Sequence, residues 1–411
     1  MIMRRSWLIG GLSVAGILCA ACGSQPNREA EAEADRNGPQ STGLFSPQGE
    51  AFQVADTPII VIGTSDSLAL DNVMGAVFFG DGFAVANSIS QELLIFDKTG
   101  RLIARRGRKG AGPGEYIFLG GVVRHGSGLI TWDLNNGRVS FLDSQGRYVD
   151  QIRFQSRTWR PARILGVFGN SMLIDFADYL GFPPEESMGP MEVRVDAEYE
   201  VVSLTDGTPM FEVTLPGKEV WAAREGPTHG DTPVMFGRRA VAAVAGTRAY
   251  LGTTDSLVLE SYDETGHRDI VSLGEAEPVG VPDRWVQMVR DTIQRAIDRT
   301  HDRYAGRPGG QAMMNIVEFR RFLLRDLPAR ATLPAFSAIK GAADGRLWIR
   351  GYSDPTQDHD VWVVLSEDLV PEEWIEMPRG MNVLDMSADR VLVLTRGEYR
   401  EPIVEVYEIE R

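Results

Sequence analysis

The residues best suited to chemistry form one short group rich in aspartate near the C-terminus. The segment Asp354-Pro-Thr-Gln-Asp-His-Asp360 could hold a hard cation through oxygen ligands. A solvated hairpin loop is the preferred interpretation, because aspartate is common in exposed turns. The five histidines show no spacing typical of a zinc site. We therefore predict no metal site and no cofactor from local motifs, while a divalent cation held by residues from distant segments stays an alternative.

Motifs for covalent or nucleotide chemistry are missing from the sequence. It holds no Gly-x-Ser-x-Gly nucleophile motif, and its only cysteines are Cys19 and Cys22, close to the N-terminus. The run Gly110-Ala-Gly-Pro-Gly114 lacks the Lys-Ser/Thr pair and the following helix of a phosphate-binding loop. We interpret it as a turn, assign no catalytic residue, and favour a protein that is not an enzyme.

Two loops, residues 155–163 and 178–190, carry arginine and aromatic side chains that could bind a ligand. Arginine beside aromatic rings suits an anionic or aromatic ligand or a sugar, and binding residues often lie on connecting loops. The alternative is that these side chains only pack the loops and form ion pairs. The candidate ligand-binding residues are Arg157, Trp159, Arg160, Arg163 and Tyr179.

A sequence repeat sets the elements that must position these loops. The pattern of residues 75–101, with glycine and aspartate at turns and apolar segments between them, recurs at 121–147. A repeat of this length that consists of short strands and turns is typical of a β-propeller blade. The sequence therefore predicts an all-β fold.

Six such units can be followed along the chain. They span 73–106, 119–154, a stretched unit that begins near 164, and then 242–272, 338–377 and 383–409. The segment Phe52–Gly63 has no unit of its own, so we expect it at the outer edge of the sixth unit, where it would close the ring. The prediction is a six-bladed β-propeller over residues 51–411.

Residues 280–328 interrupt the β pattern. Apolar residues at three- and four-residue spacing follow Pro282, a residue tolerated at a helix start, and a second helical pattern ends before Pro328. We predict a helical hairpin inserted between blades four and five, over one mouth of the propeller. It could act as a lid or a docking element, or it could simply cover apolar blade surface.

The N-terminal sequence is typical of a targeting segment. Residues 1–21 contain Arg4 and Arg5 and then an uncharged apolar run, too short to span a bilayer comfortably. The stretch before Cys22 resembles a bacterial lipoprotein signal, with Cys19 as a departure from its pattern; an ordinary secretory signal is the alternative. The resemblance implies lipid attachment at Cys22, and the polar residues 22–50 read as a flexible tether.

The composition limits the partners. The formal net charge is −15 and the sequence pI is about 4.9. A nucleic-acid-binding protein needs a basic surface, so we exclude that class of protein. Binding to anionic lipid through a polybasic segment is excluded for the same reason. An acidic surface mostly supports solubility.

Two segments carry a resemblance to a known family. Arg106–Tyr116 and Trp132–Val139 look like an NHL repeat, and the chain from about 50 to 411 resembles bacterial six-bladed β-propeller lipoproteins. This resemblance implies a periplasmic or surface location and no particular activity.

Three functional hypotheses remain at this stage. The favoured one is an envelope-anchored binding or scaffold module that presents its loops to a ligand, a protein or a glycan. The second is a metal-dependent lactonase or lyase with a site at the central channel, and the third is a purely structural assembly subunit. The sequence shows no catalytic residues at the spacing of a known motif, and this favours the first hypothesis.

Overall fold

Short antiparallel strands make up most of the chain in the computed structural model. The structure describes residues 43–45, 51–64, 68–133, 135–154, 162–176, 190–225, 228–352, 354 and 356–411. Within these residues the strands form five separate sheets, one of which joins two blades. The predicted all-β fold with a helical hairpin is confirmed.

Two short strands precede four blades that are complete within their own stretch of chain. The N-terminal pair is β1 (Ala51–Val54) and β2 (Ile60–Ile62). Blade one holds β3 (Val73–Phe79), β4 (Gly82–Asn87), β5 (Glu92–Phe96) and β6 (Leu102–Arg106). Blade two holds β7 (Leu119–His125), β8 (Gly128–Asp133), β9 (Arg138–Leu142) and β10 (Tyr148–Arg153). Blade three holds β11 (Ala162–Phe168), β12 (Ser171–Phe176), β13 (Met191–Ser203), β14 (Pro209–Glu225) and β15 (Thr228–Pro233). Blade four holds β16 (Ala240–Ala245), β17 (Arg248–Thr253), β18 (Val258–Tyr262) and β19 (Arg268–Ser272).

Blades five and six are joined through the N-terminal strands. Blade five holds β20 (Ala338–Gly341), β21 (Leu347–Arg350), β22 (His359–Leu365) and β23 (Pro371–Pro378). Blade six holds β24 (Asn382–Met386), β25 (Arg390–Arg396) and β26 (Pro402–Glu410), and β2 is its fourth strand, antiparallel to β26. The predicted ring closure is confirmed. The sequence did not predict that β1 would also lie parallel to β23, so that it links the outer edges of both blades.

Burial falls from the middle of each blade to its outer edge. Every residue of β4 and of β8 is buried, because neighbouring blades cover both faces of these strands. Such strands read as continuous apolar runs. The outer strands β6 and β10 have half-buried and exposed residues. This gradient explains why the middle strands gave the clearest signal in the sequence.

The third blade departs from the predicted unit. Tyr199 pairs with Asp175 near the end of β12, so the first half of β13 and the second half of β14 extend past the blade as a long hairpin. The fifth strand, β15, pairs only with this extension. The sequence pattern assigned residues 203–239 to no unit, because β13 and β14, with 13 and 17 residues, are far longer than the five- to seven-residue strands of blades one and two.

The helical insertion packs against this extension. It consists of α1 (Asp283–Tyr304) and α2 (Gln311–Arg325). The apolar faces of both helices share one core with the end of the third blade. That core contains Trp221, Ala223, Val234, Ile293, Ile297, Val317 and Leu323. The interpretation as structural cover has direct support in these contacts, whereas a lid or docking role stays a hypothesis. No helix of the described residues is long and apolar enough to cross a membrane.

Aspartate residues organise the repeated outer turns. Oδ1 of Asp97 accepts the N–H groups of Thr99 and Arg101 at 3.0 and 3.1 Å. Asp143 accepts those of Gln145 and Arg147, both at 2.8 Å. Both aspartates therefore bind nearby backbone amides, as aspartates in turns commonly do.

These turns make the acid stability of the fold predictable. The hydrogen bonds to Asp97 and Asp143 hold the pKa of each carboxyl below its ordinary value of 3.8. The stabilisation of the fold by these two carboxylates is therefore fully present above pH 3.8 and is lost as the pH falls below that value. We expect the double substitution Asp97→Asn and Asp143→Asn to flatten the fall of Tm between about pH 5 and pH 2. The check is thermal unfolding followed by circular dichroism; an unchanged acid slope would contradict it.

Candidate functional site

The inner strand of each blade places one side chain at the same level of the channel. The inner strands are β3, β7, β11, β16, β20 and β24. β24, β3, β7, β11, β16 and β20 contact one another in this order, and the backbone N–H of Ala343, just after β20, donates to the carbonyl of Met386 in β24. We define the penultimate ring as the six residues that stand second from last in these six strands. Its members are Phe78, Arg124, Val167, Val244, Lys340 and Asp385. Three of the six members are ionisable, although they lie in otherwise apolar strands.

Asp385 is the buried acidic residue of the penultimate ring. Its side chain is 4% exposed, and Oδ2 accepts the backbone N–H of Phe78 at 2.8 Å. The same oxygen accepts Nη1 of Arg124, whose side chain is 30% exposed. Burial raises the pKa of Asp385, while the guanidinium of Arg124 acts in the opposite direction. The ion pair joins blades two and six, which are not sequence neighbours.

Lys340 brings a second cation to the ring from blade five. Burial lowers the pKa of its ammonium group. The carboxylate of Asp385 opposes this shift, whereas the positive charges of Arg124 and Arg163 add to it. Lys340 donates no hydrogen bond to any other residue that the structure describes. Its ammonium group therefore has donors available for a bound molecule.

Arg163 is the one sequence-predicted binding residue that the structure describes. It is the second residue of β11, and Nη2 lies against Oδ2 of Asp175 on the neighbouring strand. The Arg163 side chain is 73% exposed. Arg157, Trp159, Arg160, Tyr179 and the predicted lipid-bearing Cys22 lie outside the described residues.

Basic side chains predominate among the described residues around Lys340. Arg124, Arg163 and Lys340 carry positive charge, whereas Asp175 and Asp385 carry negative charge. Among these five described residues, basic side chains outnumber acidic ones by one, in a chain whose net charge is −15. In a partly buried channel, charge interactions are stronger than in water. An anion would complete this cluster.

The acidic group near the C-terminus does not converge on one point. Asp354 accepts the N–H and hydroxyl of Thr356 at 2.8 and 2.6 Å, and it lies 3.5 Å from Arg284. Asp358 is 95% exposed, while Asp360 is 3.9 Å from Arg350. No group of three or more His, Cys, Asp or Glu in the described part of the chain could hold a metal ion. The metal-dependent alternative thus stays a hypothesis.

The glycine-rich segment serves as a turn between blades one and two. Glu115 accepts the N–H of Gly112 at 2.9 Å, and Arg138 donates to the carbonyls of Ala111 and Gly112, both at 3.0 Å. Two further repeat positions have a matching structural role. Asn87 accepts backbone N–H groups just before β3, and Asp133 does so just before β7.

A surface pocket of about 340 Å³ lies away from the channel, where β2 meets the outer turn of blade one. Residues 61–64, Leu68, Gly100 and Leu102 line it. None of these residues carries an ionisable side chain. We therefore place the candidate site at the penultimate ring and not in this pocket.

Sequence reasoning missed Arg124, Lys340 and Asp385. Each is a lone charged residue in a short apolar strand, so no local motif marks it. One usable signal was the repeat itself, because Arg124 stands 46 positions after Phe78 and thus at the same place in its blade. Comparing equivalent positions across all blades would have shown the charges together.

Comparisons with known proteins agree with the architecture. Residues 49–123 match the model of the family DUF5128, described as a 6-bladed beta-propeller. This match covers a minor part of the chain. No functionally curated protein matches the sequence.

Several solved structures are distantly similar. A DUF4221 member from Bacteroides vulgatus has 10% identity and a TM-score of 0.43, over 88% of this chain and 99% of its own. Virginiamycin B lyase from Staphylococcus aureus has 8% identity and a TM-score of 0.35, over 86% and 99%. Regucalcin, a calcium-binding protein from Agrobacterium tumefaciens, has 11% identity and a TM-score of 0.35, over 88% and 97%. At these values the names carry no argument about function. The six blades and the family match together identify the chain as a six-bladed β-propeller.

Proposed function

We propose that this propeller is a cell-envelope-anchored binding module that holds a small anionic ligand in its central channel. The observation that carries the proposal is the pair of cations in the penultimate ring, Arg124 and Lys340, with a single buried carboxylate between blades. Ionisable groups with perturbed pKa values inside a cleft are typical of functional sites. A carboxylate or phosphate oxygen would accept hydrogen bonds from Lys340 and add the missing negative charge.

The buried charges are easier to explain by binding than by stability. Removing two charges from water costs several kcal/mol per ion, and apolar replacements of buried ion pairs are often neutral or stabilising. Two of the six ring positions are already valine, Val167 and Val244. An apolar ring is therefore compatible with this fold, which supports a ligand-related role for the charged positions.

The main test removes the Lys340 charge with little change in shape. We expect Lys340→Met to weaken the binding of inorganic phosphate, the probe, by about tenfold or more, because a charge-assisted hydrogen bond contributes about 1.5–3 kcal/mol. The measurement is isothermal titration calorimetry at constant ionic strength. The matched control is Lys98→Met, since Lys98 lies exposed in an outer turn. Equal phosphate affinity in wild type and Lys340→Met would overturn the proposal.

The envelope anchor rests on the sequence before Cys22 and is tested separately. We expect palmitate labelling of the full-length chain in a bacterial host, and we expect Cys22→Ala to abolish it and to release the protein from the membrane fraction. Cys19→Ala serves as the matched control and should keep the label. Label that persists in Cys22→Ala would contradict lipid attachment at this residue. A protein or glycan partner of the exposed loops also stays a prediction.

A further inference from the structure

The helical insertion is basic, although the chain as a whole is acidic. Residues 280–330 contain ten arginines and six acidic residues, so their formal charge is +4 with neutral histidine. The other residues of the chain therefore carry −19, because the total is −15. The total charge excluded lipid binding through a polybasic segment, but the insertion departs from this whole-chain average.

The positive charge is concentrated around the turn of the helical hairpin. We define the distal half of the insertion as residues 292–321, which comprise the end of α1, the turn and most of α2. It contains six arginines and only three acidic residues. Five of the arginines are exposed and Arg320 is half-buried, and within the described ranges none of the six forms an ion pair with a carboxylate. The arginines are Arg295, Arg299, Arg303, Arg307, Arg320 and Arg321.

Two of these guanidinium groups are held near each other on α1 and α2. Nε of Arg299 donates to the carbonyl of Arg295 at 3.3 Å. Nη1 of Arg320 donates to the neighbouring carbonyl, that of Ala296, at 3.4 Å and to Oγ1 of Thr300 at 3.1 Å. Burial and the positive charge of Arg299 both lower the pKa of Arg320. These contacts fix like charges side by side without neutralising them, and an external anion would stabilise both.

The N-terminal part of the fold is fastened to the seam between blades four and five. We call the 3₁₀ helix Gly43–Phe45 the N-terminal clip. Phe45 is 3% exposed and belongs to the core that these two blades share. Nε1 of Trp374 donates to the carbonyl of Leu44 at 3.0 Å. A Cβ atom at Gly351 would lie only 3.0 Å from Cδ1 of Phe45, so this glycine lets the aromatic ring approach.

A series of aromatic contacts joins the N-terminal clip to the start of α1. Tyr352 follows Gly351, and its ring packs edge-on against Phe236 with the centroids 5.9 Å apart. Phe236 in turn packs on Trp285, in the first turn of α1, at 6.1 Å. The insertion also follows blade four and precedes blade five in the chain. The clip and the base of the insertion therefore lie on the same side of the ring.

We propose that the distal half of the insertion is a docking surface for the anionic headgroups of the membrane that holds the lipid anchor. This inference rests on the proposed anchoring at Cys22, which stands 21 residues before Gly43. A flexible chain of that length has a mean end-to-end distance of about 25 Å. The tether would thus keep the membrane near the side of the ring that carries the insertion, and unpaired arginines are attracted to an anionic membrane surface.

The test uses the full-length Cys22→Ala protein, because this variant removes the lipid and leaves only surface contact. We expect it to sediment with vesicles made of equal parts phosphatidylglycerol and phosphatidylcholine. Binding to vesicles of phosphatidylcholine alone should be weaker by about tenfold or more, and added salt should weaken binding to the anionic vesicles. Equal binding to both kinds of vesicle would overturn the inference.

Charge variants in the Cys22→Ala background identify the surface that binds. We expect Arg303→Gln with Arg307→Gln to weaken binding to the anionic vesicles by about tenfold or more, since each arginine near such a membrane contributes separately. The matched control is Arg147→Gln with Arg400→Gln, which removes two exposed arginines from turns of blades two and six and should change binding by less than about twofold. Equal weakening in the two pairs would overturn the inference, because the effect would then follow total charge.

Two readouts separate this inference from the proposed function. Phosphate binding at Lys340 should stay within about twofold in the Arg303→Gln, Arg307→Gln variant. Palmitate labelling at Cys22 together with no binding of Cys22→Ala to anionic vesicles would overturn the docking surface and leave the anchor intact. Vesicle binding that is kept while palmitate labelling of the wild type fails would overturn the anchor and, with it, the argument from the tether.

Discussion

Replacing Asp385 with alanine is expected to lower the free energy of unfolding by about 3–5 kcal/mol. The substitution removes the acceptor of Arg124 and of the Phe78 backbone N–H. It also leaves Lys340 without the nearest opposite charge. Breaking a buried pair from one side is costly because the remaining charge stays buried and uncompensated. Urea unfolding followed by tryptophan fluorescence measures this change.

Two further variants make the Asp385 result interpretable. Asp389→Ala lies four residues further on, and the Asp389 side chain is 70% exposed, so this control should change stability by less than about 0.5 kcal/mol. The double variant Asp385→Leu with Arg124→Met removes both partners and should recover a large part of the loss. A loss below about 1 kcal/mol in Asp385→Ala would show that the pair is not buried as described.

Replacing Ile60 with alanine is expected to cost about 2–5 kcal/mol of unfolding free energy. Ile60 is 7% exposed and lies in β2, the strand that closes the ring, where it is opposite Val406. Its side chain belongs to a core shared by blades one and six. The truncation therefore leaves a cavity at the closure, where the N-terminal and C-terminal parts of the chain meet.

The neighbouring residue provides the control for the closure experiment. Val61 is in the same strand but is 42% exposed, so Val61→Ala should change the unfolding free energy by no more than about 0.5 kcal/mol. Equal stability losses in the two variants would contradict the inward orientation of Ile60. If Ile60→Ala lowers the unfolding free energy but leaves its dependence on denaturant concentration unchanged, the result would support cooperative unfolding of the whole ring.

The fold could be predicted because its signals are local. Asp97 and Gly100 mark one turn, and Asp143 and Gly146 mark the next at the same spacing. The extension of blade three escaped prediction because its strands are far longer than those of the repeat, although Asp206 and Gly207 mark the turn between them. The parallel contact of β1 with β23 depends on how two blades meet, which no local pattern records.

The candidate site was harder to predict than the fold, because it is assembled from distant strands. Loop composition directed attention to Arg163, whose charge acts on Lys340; its role in binding stays a prediction. Arg124 and Asp385 are separated by 261 positions, and only ring closure brings them together. A single charged residue in an apolar strand can be assigned to a site only when its position along the channel is known.

The most direct test of the account is a crystal structure of the protein soaked with selenate. Selenate is a tetrahedral dianion, and selenium can be located from its anomalous scattering. We predict an anomalous peak in the channel with an oxygen at hydrogen-bonding distance, about 2.7–3.2 Å, from Nζ of Lys340. We also predict that the peak is lost in Lys340→Met crystals. Anomalous peaks confined to the outer surface, with none beside Lys340, would contradict an anion-binding channel.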